Sequence, residues 1–181
     1  MKSFYDLFPR SFPEGPPPKG PFKIDAQKLK AEFIGLQSAN HPDKVGSIDP
    51  TNQIRKQYET KSSDLNIAYK SLLNPLLRAH NLLIVRGIDA LSEKDSFHDE
   101  DLLMDVLIAR EAMAEAASKE ELDSLKKDND QRINDAENKL EIAFKEDDLE
   151  TAKAETIKLS YWQNLQTQLK EAAHEIDQDD N

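Results

Sequence analysis

Three consecutive residues, His41, Pro42 and Asp43, have side-chain types that could do chemistry. An imidazole and a carboxylate two positions apart could act as a general base with its orienting partner, or as two metal ligands. They lie in the stretch SANHPDKVG, which interrupts a helical pattern. Asn, Pro, Asp and Gly are also ordinary turn residues, so a polar turn without chemistry explains the same letters.

A metal site at this turn would be short of ligands. The other histidines are at positions 80, 98 and 174, none has the i, i+4 spacing of a zinc pair, and no H-E-x-x-H motif is present. The chain has no cysteine, which excludes disulfides and thiolate ligands. His41 and Asp43 would give two ligands at most. We therefore expect no metal and no other cofactor.

A hydrolase that uses His41 as its base would need a nucleophile, an orienting group and an oxyanion donor. Asp43 could orient the imidazole, but Pro42 makes the pair poorly able to fold onto itself. No G-x-S-x-G elbow occurs in the sequence. Glycine-rich phosphate-binding motifs are also missing, which argues against nucleotide binding. We expect no catalytic residue in this chain.

The charge of the chain excludes some partners. The 181 residues carry a net charge of −11, and the isoelectric point is about 4.8. Such a protein is poorly suited to bind nucleic acid or an anionic membrane through its overall charge. No apolar run approaches the ~20 residues of a membrane span. The start, MKSFYDLFPR, has the features of neither a secretory signal nor a transit peptide, so for an imported protein we expect a presequence to be missing here.

The N-terminal half is predicted to be helical after residue 21. Residues 9–21 hold six prolines and are predicted to form an extended linker or loop. The first helix follows, with Asp25 as its N-cap and an apolar pattern that ends before the His41 turn. The second helix is expected to begin at Asp49 and Pro50 and to end at Asn74-Pro75. A short third helix stops at Gly87.

Three more helices are predicted after a connecting loop at 88–98. Ser118 and Glu121 form a capping box that opens the second of them. The acidic turn KEDD separates it from the last helix, so these two should be antiparallel. The apolar residues that mark the three helices are, in order, Leu103, Leu107, Met113 and Ala117; Leu122, Leu125, Ile133, Ala136, Leu140 and Phe144; and Ala152, Leu159, Trp162, Leu165 and Leu169.

The context of the His41 turn resembles a known family. An aromatic start FYDLFP, a helix, a loop with HPD and a longer helix with LNIAYKSLLNP are similar to the J-domain of co-chaperones that activate DnaK-type heat-shock ATPases. LLNPLLRAHNLL followed by Gly87 resembles a narrower group, the HscB/Jac-type co-chaperones of iron–sulfur cluster assembly. DLLMDVLIAREAM and IKLSYWQNL occur where that group has its scaffold-binding helices. The resemblance extends from about Phe4 to Leu169.

The resemblance implies an all-α fold with two modules. A J-domain with its Pro-rich N-terminal segment would occupy residues 1–87, and 88–98 would be a linker. A scaffold-binding three-helix bundle with an acidic tail would occupy 99–181. The implied protein is not an enzyme. It would stimulate ATP hydrolysis by a mitochondrial DnaK-type chaperone and deliver the iron–sulfur cluster scaffold protein to it. The Pro-rich segment looks more fungal-mitochondrial than bacterial, so we expect the mitochondrial matrix, with the bacterial cytoplasm as the alternative.

The same resemblance implies the site residues. Chaperone binding is expected at His41, Pro42, Asp43, Lys28, Lys30 and Lys44, and scaffold binding at Leu103, Leu107, Tyr161, Asp105 and Glu111. A Leu stripe at helical spacing also fits a buried core, so for the apolar residues core and interface both stay open here. We expect one of Tyr161 and Trp162 to point inward and the other outward.

The chain also departs from the family pattern. J-domains usually have several cations on the helix before HPD, whereas this helix has only Lys28 and Lys30. The CxxC metal module of some animal members is missing. Two other readings of the sequence stay open at this point: a helical adaptor whose HPD turn is incidental, and a small metal-dependent hydrolase. A chaperone ATPase assay would separate the first from a co-chaperone, and elemental analysis would reveal the second.

Overall fold

The structure, a computed structural model, describes residues 2–44 and 52–179. This described part contains six α-helices and no strand: α1 Ala26–Ala39, α2 Gln53–Leu73, α3 Pro75–Val85, α4 Glu100–Glu115, α5 Lys119–Lys145 and α6 Leu149–Asp179. The prediction of an all-helical chain is confirmed. Within the same residues, no helix is both long enough and apolar enough to cross a bilayer. The predicted helix start at Asp49 and Pro50 lies outside the described residues.

Side-chain caps set several helix boundaries. The Asp25 carboxylate accepts hydrogen bonds from the N–H groups of Gln27 and Lys28, as the sequence predicts. Asn74 ends α2 and caps α3, whose first residue is Pro75. Gly87, with φ +81°, follows the end of α3. Asp25 and Asn74 accept hydrogen bonds from N–H groups that the start of a helix leaves unpaired, and Gly87 adopts the left-handed conformation common after a helix end.

The predicted capping box of α5 is only half present. The Ser118 side chain accepts a hydrogen bond from the Glu121 N–H, as expected. The Glu121 carboxylate, however, accepts from the N–H of Ala117 at 2.7 Å and not from that of Ser118. A carboxylate here still satisfies an otherwise unpaired donor, one residue earlier than the motif predicts.

Helices α1 and α2 form an antiparallel hairpin. The Phe33 and Tyr69 rings stack with centroids 4.1 Å apart, and Gln37 exchanges hydrogen bonds with Ser62 nearer the turn. The buried apolar residues of α2 begin only at Leu65. The end of the hairpin that carries the HPD turn is therefore poor in core, and its opposite end packs into the molecule.

A first apolar cluster joins the N-terminal segment, α1–α3 and the adjoining halves of α5 and α6. Its fully buried members include Tyr5, Phe8 and Phe22, and Phe22 stacks on Phe144 of α5 at 5.3 Å. The Pro-rich segment is thus a packed loop. The Glu32 carboxylate of α1 accepts from the N–H groups of Arg10 and Ser11, which attaches this loop to the hairpin.

Arg78 forms a polar joint inside this first cluster. Its guanidinium is buried and donates to the carbonyls of Leu72 and Phe22 and to the Glu137 carboxylate of α5. The Phe22 carbonyl also accepts from the Tyr5 hydroxyl, whose pKa burial raises above its ordinary value. Arg78 therefore connects the N-terminal segment, the end of α2 and α5 at one point.

A second, smaller cluster lies at the other end of the α5–α6 hairpin, under α4. It contains Leu102, Val106 and Ala109 of α4 with Leu122 of α5 and the buried stripe of α6. Helices α5 and α6 are antiparallel, as predicted: Asn129, which is fully buried, donates to the Trp162 carbonyl and to Gln166, and Lys139 pairs with Glu155. A buried amide with fixed partners favours a single register of the two helices.

The loop at 88–98 connects the two clusters. It contains a short 3₁₀ turn at Lys94–Ser96, and Phe97 packs against both clusters. The division into 1–87, 88–98 and 99–181 stays a prediction. The structure adds that the two predicted modules share buried side chains, since the first cluster contains residues from both.

Candidate protein-interaction sites

The HPD turn, defined as His41, Pro42 and Asp43, lies at the tip of the α1–α2 hairpin. Asn40 ends α1, with its side chain donating to the Leu36 carbonyl, and Pro42–Lys44 form one turn of 3₁₀ helix. The side chains of His41 and Asp43 are 57% and 80% exposed. Exposure at the tip leaves both groups accessible to another protein.

His41 and Asp43 contact each other. Nδ1 of His41 lies 3.3 Å from the Asp43 carboxylate and 3.3 Å from the Asp43 backbone nitrogen. The expectation that Pro42 keeps the pair apart is therefore wrong: the 3₁₀ turn brings residues 41 and 43 to the same side. One nitrogen cannot donate to the carboxylate and accept from the N–H at once, so the two contacts belong to different protonation forms of the ring.

The three predicted lysines do not gather at this turn. Lys44 follows it directly and is exposed. Lys28 and Lys30 are exposed near the start of α1, and at 1.5 Å per residue they lie about 15 Å along the helix from its C-terminal end. They also flank the buried Leu29 on opposite sides. At the tip itself the structure adds Lys56, exposed in the first turn of α2, which the sequence reasoning missed.

The second candidate site is the outer side of α4. Leu103 and Leu107 are 48% and 52% exposed, while Val106 of the same helix is 5% exposed. For these leucines the alternative of a buried core is therefore wrong, and Val106 serves the core. Met104 and Ile108 are exposed as well. We call these four residues, Leu103, Met104, Leu107 and Ile108, the α4 face.

Met104 and Ile108 were missed in the sequence. The signal was there, because LLM and VLI in DLLMDVLIAREAM each contain more apolar residues than one buried stripe can use. With 3.6 residues per turn, Leu102, Val106 and Ala109 cover the inner side, and the remaining apolar residues must point outward. An exposed apolar strip of this kind is a candidate interaction site.

Tyr161 and Trp162 divide as predicted. Trp162 is buried in the second cluster, with the Arg132 guanidinium over its ring at 5.1 Å. Tyr161 is half-buried and packs against the edges of both clusters. Its ring is covered by the Lys94 ammonium at 3.8 Å. Tyr161 is therefore a partly accessible aromatic beside the bundle that holds α4.

Both residues of the predicted polar rim, Asp105 and Glu111, are exposed. Glu111 continues the outer side of the helix by one turn. Asp105 lies toward α5 and lines a charged cleft with Arg132, Lys139 and Lys158. At the start of α4, Asp99 caps the helix by accepting from the Leu102 N–H and pairs with Lys158 at 3.4 Å. The Leu102 N–H is the main cause that lowers the pKa of the Asp99 carboxyl, and Lys158 lowers it further.

Within residues 2–44 and 52–179, no three His, Asp or Glu side chains come together in a way that could hold a metal ion. The partners found for His41 lie in its own turn. The two sites are exposed surfaces. One is a polar turn restricted by proline, and the other is an exposed apolar strip on a helix.

Comparison with known proteins agrees with this geometry. A family model described as the HSCB C-terminal oligomerisation domain matches residues 98–170. The mitochondrial J-type co-chaperone Jac1 of Saccharomyces cerevisiae is 32% identical over 176 residues, covering 94% of this chain and 89% of the relative. The human iron–sulfur cluster co-chaperone protein HscB is 33% identical over 153 residues, which cover 82% of this chain and 63% of that protein.

Solved structures show the same relationship. The structure of Saccharomyces cerevisiae Jac1 superposes with a TM-score of 0.73 at 29% identity, covering 94% of this chain and 96% of the other. Human HscB superposes with a TM-score of 0.80 at 27% identity, covering 94% and 81% of the two chains. The resemblance seen in the sequence is confirmed: the chain belongs to the Jac1/HscB family of J-type iron–sulfur cluster co-chaperones.

Proposed function

We propose that this protein stimulates ATP hydrolysis by a DnaK-type chaperone and delivers the iron–sulfur cluster scaffold protein to it. In this proposal the protein is not an enzyme, because the ATPase chemistry belongs to the chaperone. The observation that carries the proposal is the presence of two exposed surfaces of different chemistry, the HPD turn and the α4 face, on one continuously packed molecule.

The HPD turn is the proposed contact with the chaperone. Pro42 and the 3₁₀ turn restrict the backbone, so docking costs little conformational entropy. The Asp43 carboxylate can accept a charge-assisted bond from an arginine of the partner, and His41 can donate or accept a hydrogen bond. Lys44 at the turn, with Lys28 and Lys30 further along α1, would add attraction to an acidic chaperone surface.

The α4 face is the proposed contact with the scaffold protein. Leu103, Leu107 and Tyr161 would form its apolar centre, with Asp105 and Glu111 in the rim. Apolar anchors inside a polar rim are the usual anatomy of an interface hot spot. The half-buried Tyr161 is suited to this role because an aromatic ring gives a large contact area with few rotatable bonds.

We also place the protein in the mitochondrial matrix. The support is the similarity to the mitochondrial Jac1 proteins of two yeasts. The similarity to the HscB homologue of Neisseria meningitidis keeps the bacterial cytoplasm as the alternative. Localisation of the tagged protein in its own organism would decide between them.

One reconstitution tests the proposed function. ATP hydrolysis by the chaperone is measured with the chaperone alone, with this protein added, and with this protein and the scaffold protein together. We expect stimulation by the protein and a further increase with the scaffold. The proposal is overturned if hydrolysis does not change, because a helical adaptor with an incidental HPD turn would bind without stimulating.

A further inference from the structure

The loop at 88–98, which the sequence indicates only as a connector, places a cation on the proposed scaffold surface. Lys94 extends from the 3₁₀ turn of this loop, and its ammonium lies 3.8 Å from the centre of the Tyr161 ring. A cation over an aromatic face is attracted by the ring quadrupole. The loop is therefore in direct contact with the aromatic residue that we assign to scaffold binding.

The loop is fixed in this position from several sides. Glu93, next to Lys94, pairs with Lys153 of α6, and the Ser96 hydroxyl donates to the Glu93 carbonyl at 2.8 Å. Phe97 packs into both apolar clusters. These contacts hold the turn against α6 on both sides of Lys94, so its ammonium is positioned before any partner arrives.

A second cation, Arg110 of α4, is close enough for its charge to act on Lys94. Residues seven apart differ by about 20° around a helix, so Arg110 continues the edge of the α4 face on which Leu103 lies. In the described part of the chain, neither Lys94 nor Arg110 has a carboxylate within 4.0 Å. Two such cations at the edge of one surface contrast with the net charge of −11 of the whole protein.

The pair is electrostatically unfavourable while no partner is bound. Burial lowers the pKa of Lys94, and the Arg110 guanidinium lowers it further, with only the neighbouring Asp95 acting in the opposite direction. An anion placed between the two cations would relieve this repulsion. Lys94 over the Tyr161 ring and Arg110 on the Leu103 edge of α4, neither paired with a carboxylate within the described residues, are therefore suited to an anion from outside the chain.

We propose that Lys94 and Arg110 form a carboxylate-binding site at the rim of the scaffold surface, which receives an acidic side chain of the scaffold protein. The inference rests on the proposed function and specifies the partner chemistry at that surface. A protein carboxylate fits better than a nucleic-acid phosphate because the site adjoins the apolar α4 face and the rest of the chain is acidic.

The proposed site also orients the partner. Asp105 lies on the α5 side of the α4 face, about 220° around the helix from Arg110 when the angle is measured across the exposed face. The two edges of the surface therefore carry opposite charges, with cations beside Leu103 and a carboxylate beyond Ile108. A partner must match both edges, and like-charge juxtaposition disfavours the reversed orientation.

The test is calorimetric titration of the full chain with the scaffold protein at low and at high salt. The double variant Lys94→Glu with Arg110→Glu should bind about tenfold more weakly or worse at low salt, with a shallower dependence on salt. Lys94→Met with Arg110→Met, which keeps apolar side chains at both positions, should weaken binding less. The matched control, Lys19→Glu with Lys127→Glu, changes the net charge equally at exposed sites and should bind like the wild type.

A charge swap makes the test specific. Each acidic residue on the scaffold protein is replaced in turn by lysine, and one such scaffold variant should restore binding to the double variant Lys94→Glu with Arg110→Glu. Thermal melts verify that each variant is folded; if the reversal unfolds the chain, the methionine pair is used for the same comparison and must still weaken binding.

The outcomes separate this inference from the proposed function. If the double reversal binds like the wild type while Leu103→Ala with Leu107→Ala loses binding, the scaffold surface stands and the cation site is rejected. If the reversal weakens binding no more than the control pair does, the effect is one of net charge and the site is again rejected. If neither surface variant changes binding, or the wild type does not bind the scaffold, both proposals fail.

Discussion

The HPD turn and the α4 face are two candidate interaction surfaces with opposite chemistry. The turn exposes an imidazole and a carboxylate on a backbone restricted by proline, at the tip of a hairpin whose core begins well behind it. The α4 face exposes four apolar side chains on a helix whose inner side is fully packed. The first surface can recognise a partner through a few directed polar bonds, and the second through apolar area inside a charged rim.

This difference makes the two surfaces separable by experiment. A polar turn can be inactivated by isosteric changes that leave packing untouched, whereas an apolar face is inactivated by truncation. The predictions below use this contrast, from the largest expected effect to the smallest.

Asp43→Asn, and separately His41→Gln, should abolish stimulation of the chaperone ATPase. The turn offers few groups to a partner, so loss of one charge removes much of its recognition. Because both side chains are exposed, stability should change by no more than about 0.5 kcal/mol. Steady-state ATP hydrolysis measures the effect, and scaffold binding should be unchanged. Asp64→Asn, at an exposed site on α2, is the matched control. Wild-type stimulation by either variant would refute the role of the turn.

Glu137→Leu should destabilise the whole molecule by about 3 kcal/mol, because it leaves the buried Arg78 guanidinium without its carboxylate. The figure is at the low end for a broken buried pair since Arg78 keeps two carbonyl acceptors. Urea unfolding gives the free energy, and Glu171→Leu at an exposed position is the control. ATPase stimulation and scaffold binding should decrease together as the folded fraction falls. A stable variant would show that the joint between the two modules is dispensable.

Truncation of the proposed scaffold surface, Leu103→Ala with Leu107→Ala and Tyr161→Ala, should cost at least ~2 kcal/mol of scaffold binding. ATPase stimulation without scaffold should survive, since the HPD turn is unchanged. The two leucines are half exposed, so most of any stability loss should come from Tyr161. Leu102→Ala with Val106→Ala removes core side chains under α4. This variant should mainly lose stability, by ~2–5 kcal/mol per large side chain. A triple variant that melts normally and binds at full strength would place the interface elsewhere.

Asp99→Asn should lower stability by about 0.5 kcal/mol at pH 7, because asparagine can still cap the helix but lacks the negative charge that favours a helix N-terminus and pairs with Lys158. The pKa of the Asp99 carboxyl is lowered in the folded protein, mainly by the Leu102 N–H. Its contribution is therefore present above pH ~4, the unfolded value, and is lost as the pH falls through the lower folded value. Urea unfolding at pH 7 and at pH 3 should show the difference between wild type and variant shrinking at the lower pH. Asp123→Asn, exposed within α5, is the matched control for the change of charge.

Much of the fold could be predicted from the sequence because its determinants are local. Asp25 and Asn74 mark helix starts through side-chain caps, and Gly87 marks a helix end through its positive φ. The predicted apolar stripe of α6 from Ala152 to Leu169 is also buried. The packing of the Pro-rich segment was not predicted, because proline content shows only that the segment is not helical. Its place in the core depends on partners such as Glu32 and Phe144, which are distant in sequence.

The candidate sites divide in the same way. The HPD turn is a local motif, so its place in a loop between the first two helices could be predicted. The contact between His41 and Asp43 could not, because it depends on the 3₁₀ geometry of the turn. On α4 the helical period identified Leu103 and Leu107 as neighbours, but only packing shows that Val106 faces inward. Lys94 was missed because its role depends on a loop folding onto Tyr161 of α6.

The long-range contacts of the N-terminal segment have a consequence for the order of folding. The Lys23 N–H donates to Glu141, 118 positions away, and Ser3 meets Asn81 across 78 positions. The entropy of closing such long loops is lost before these contacts stabilise anything, so they should form late in the folding transition. During synthesis, α1–α3 emerge from the ribosome well before α5 is available to complete their core. The N-terminal half should therefore become protected from hydrogen exchange only after α5 and α6 have been made, in one cooperative step with them.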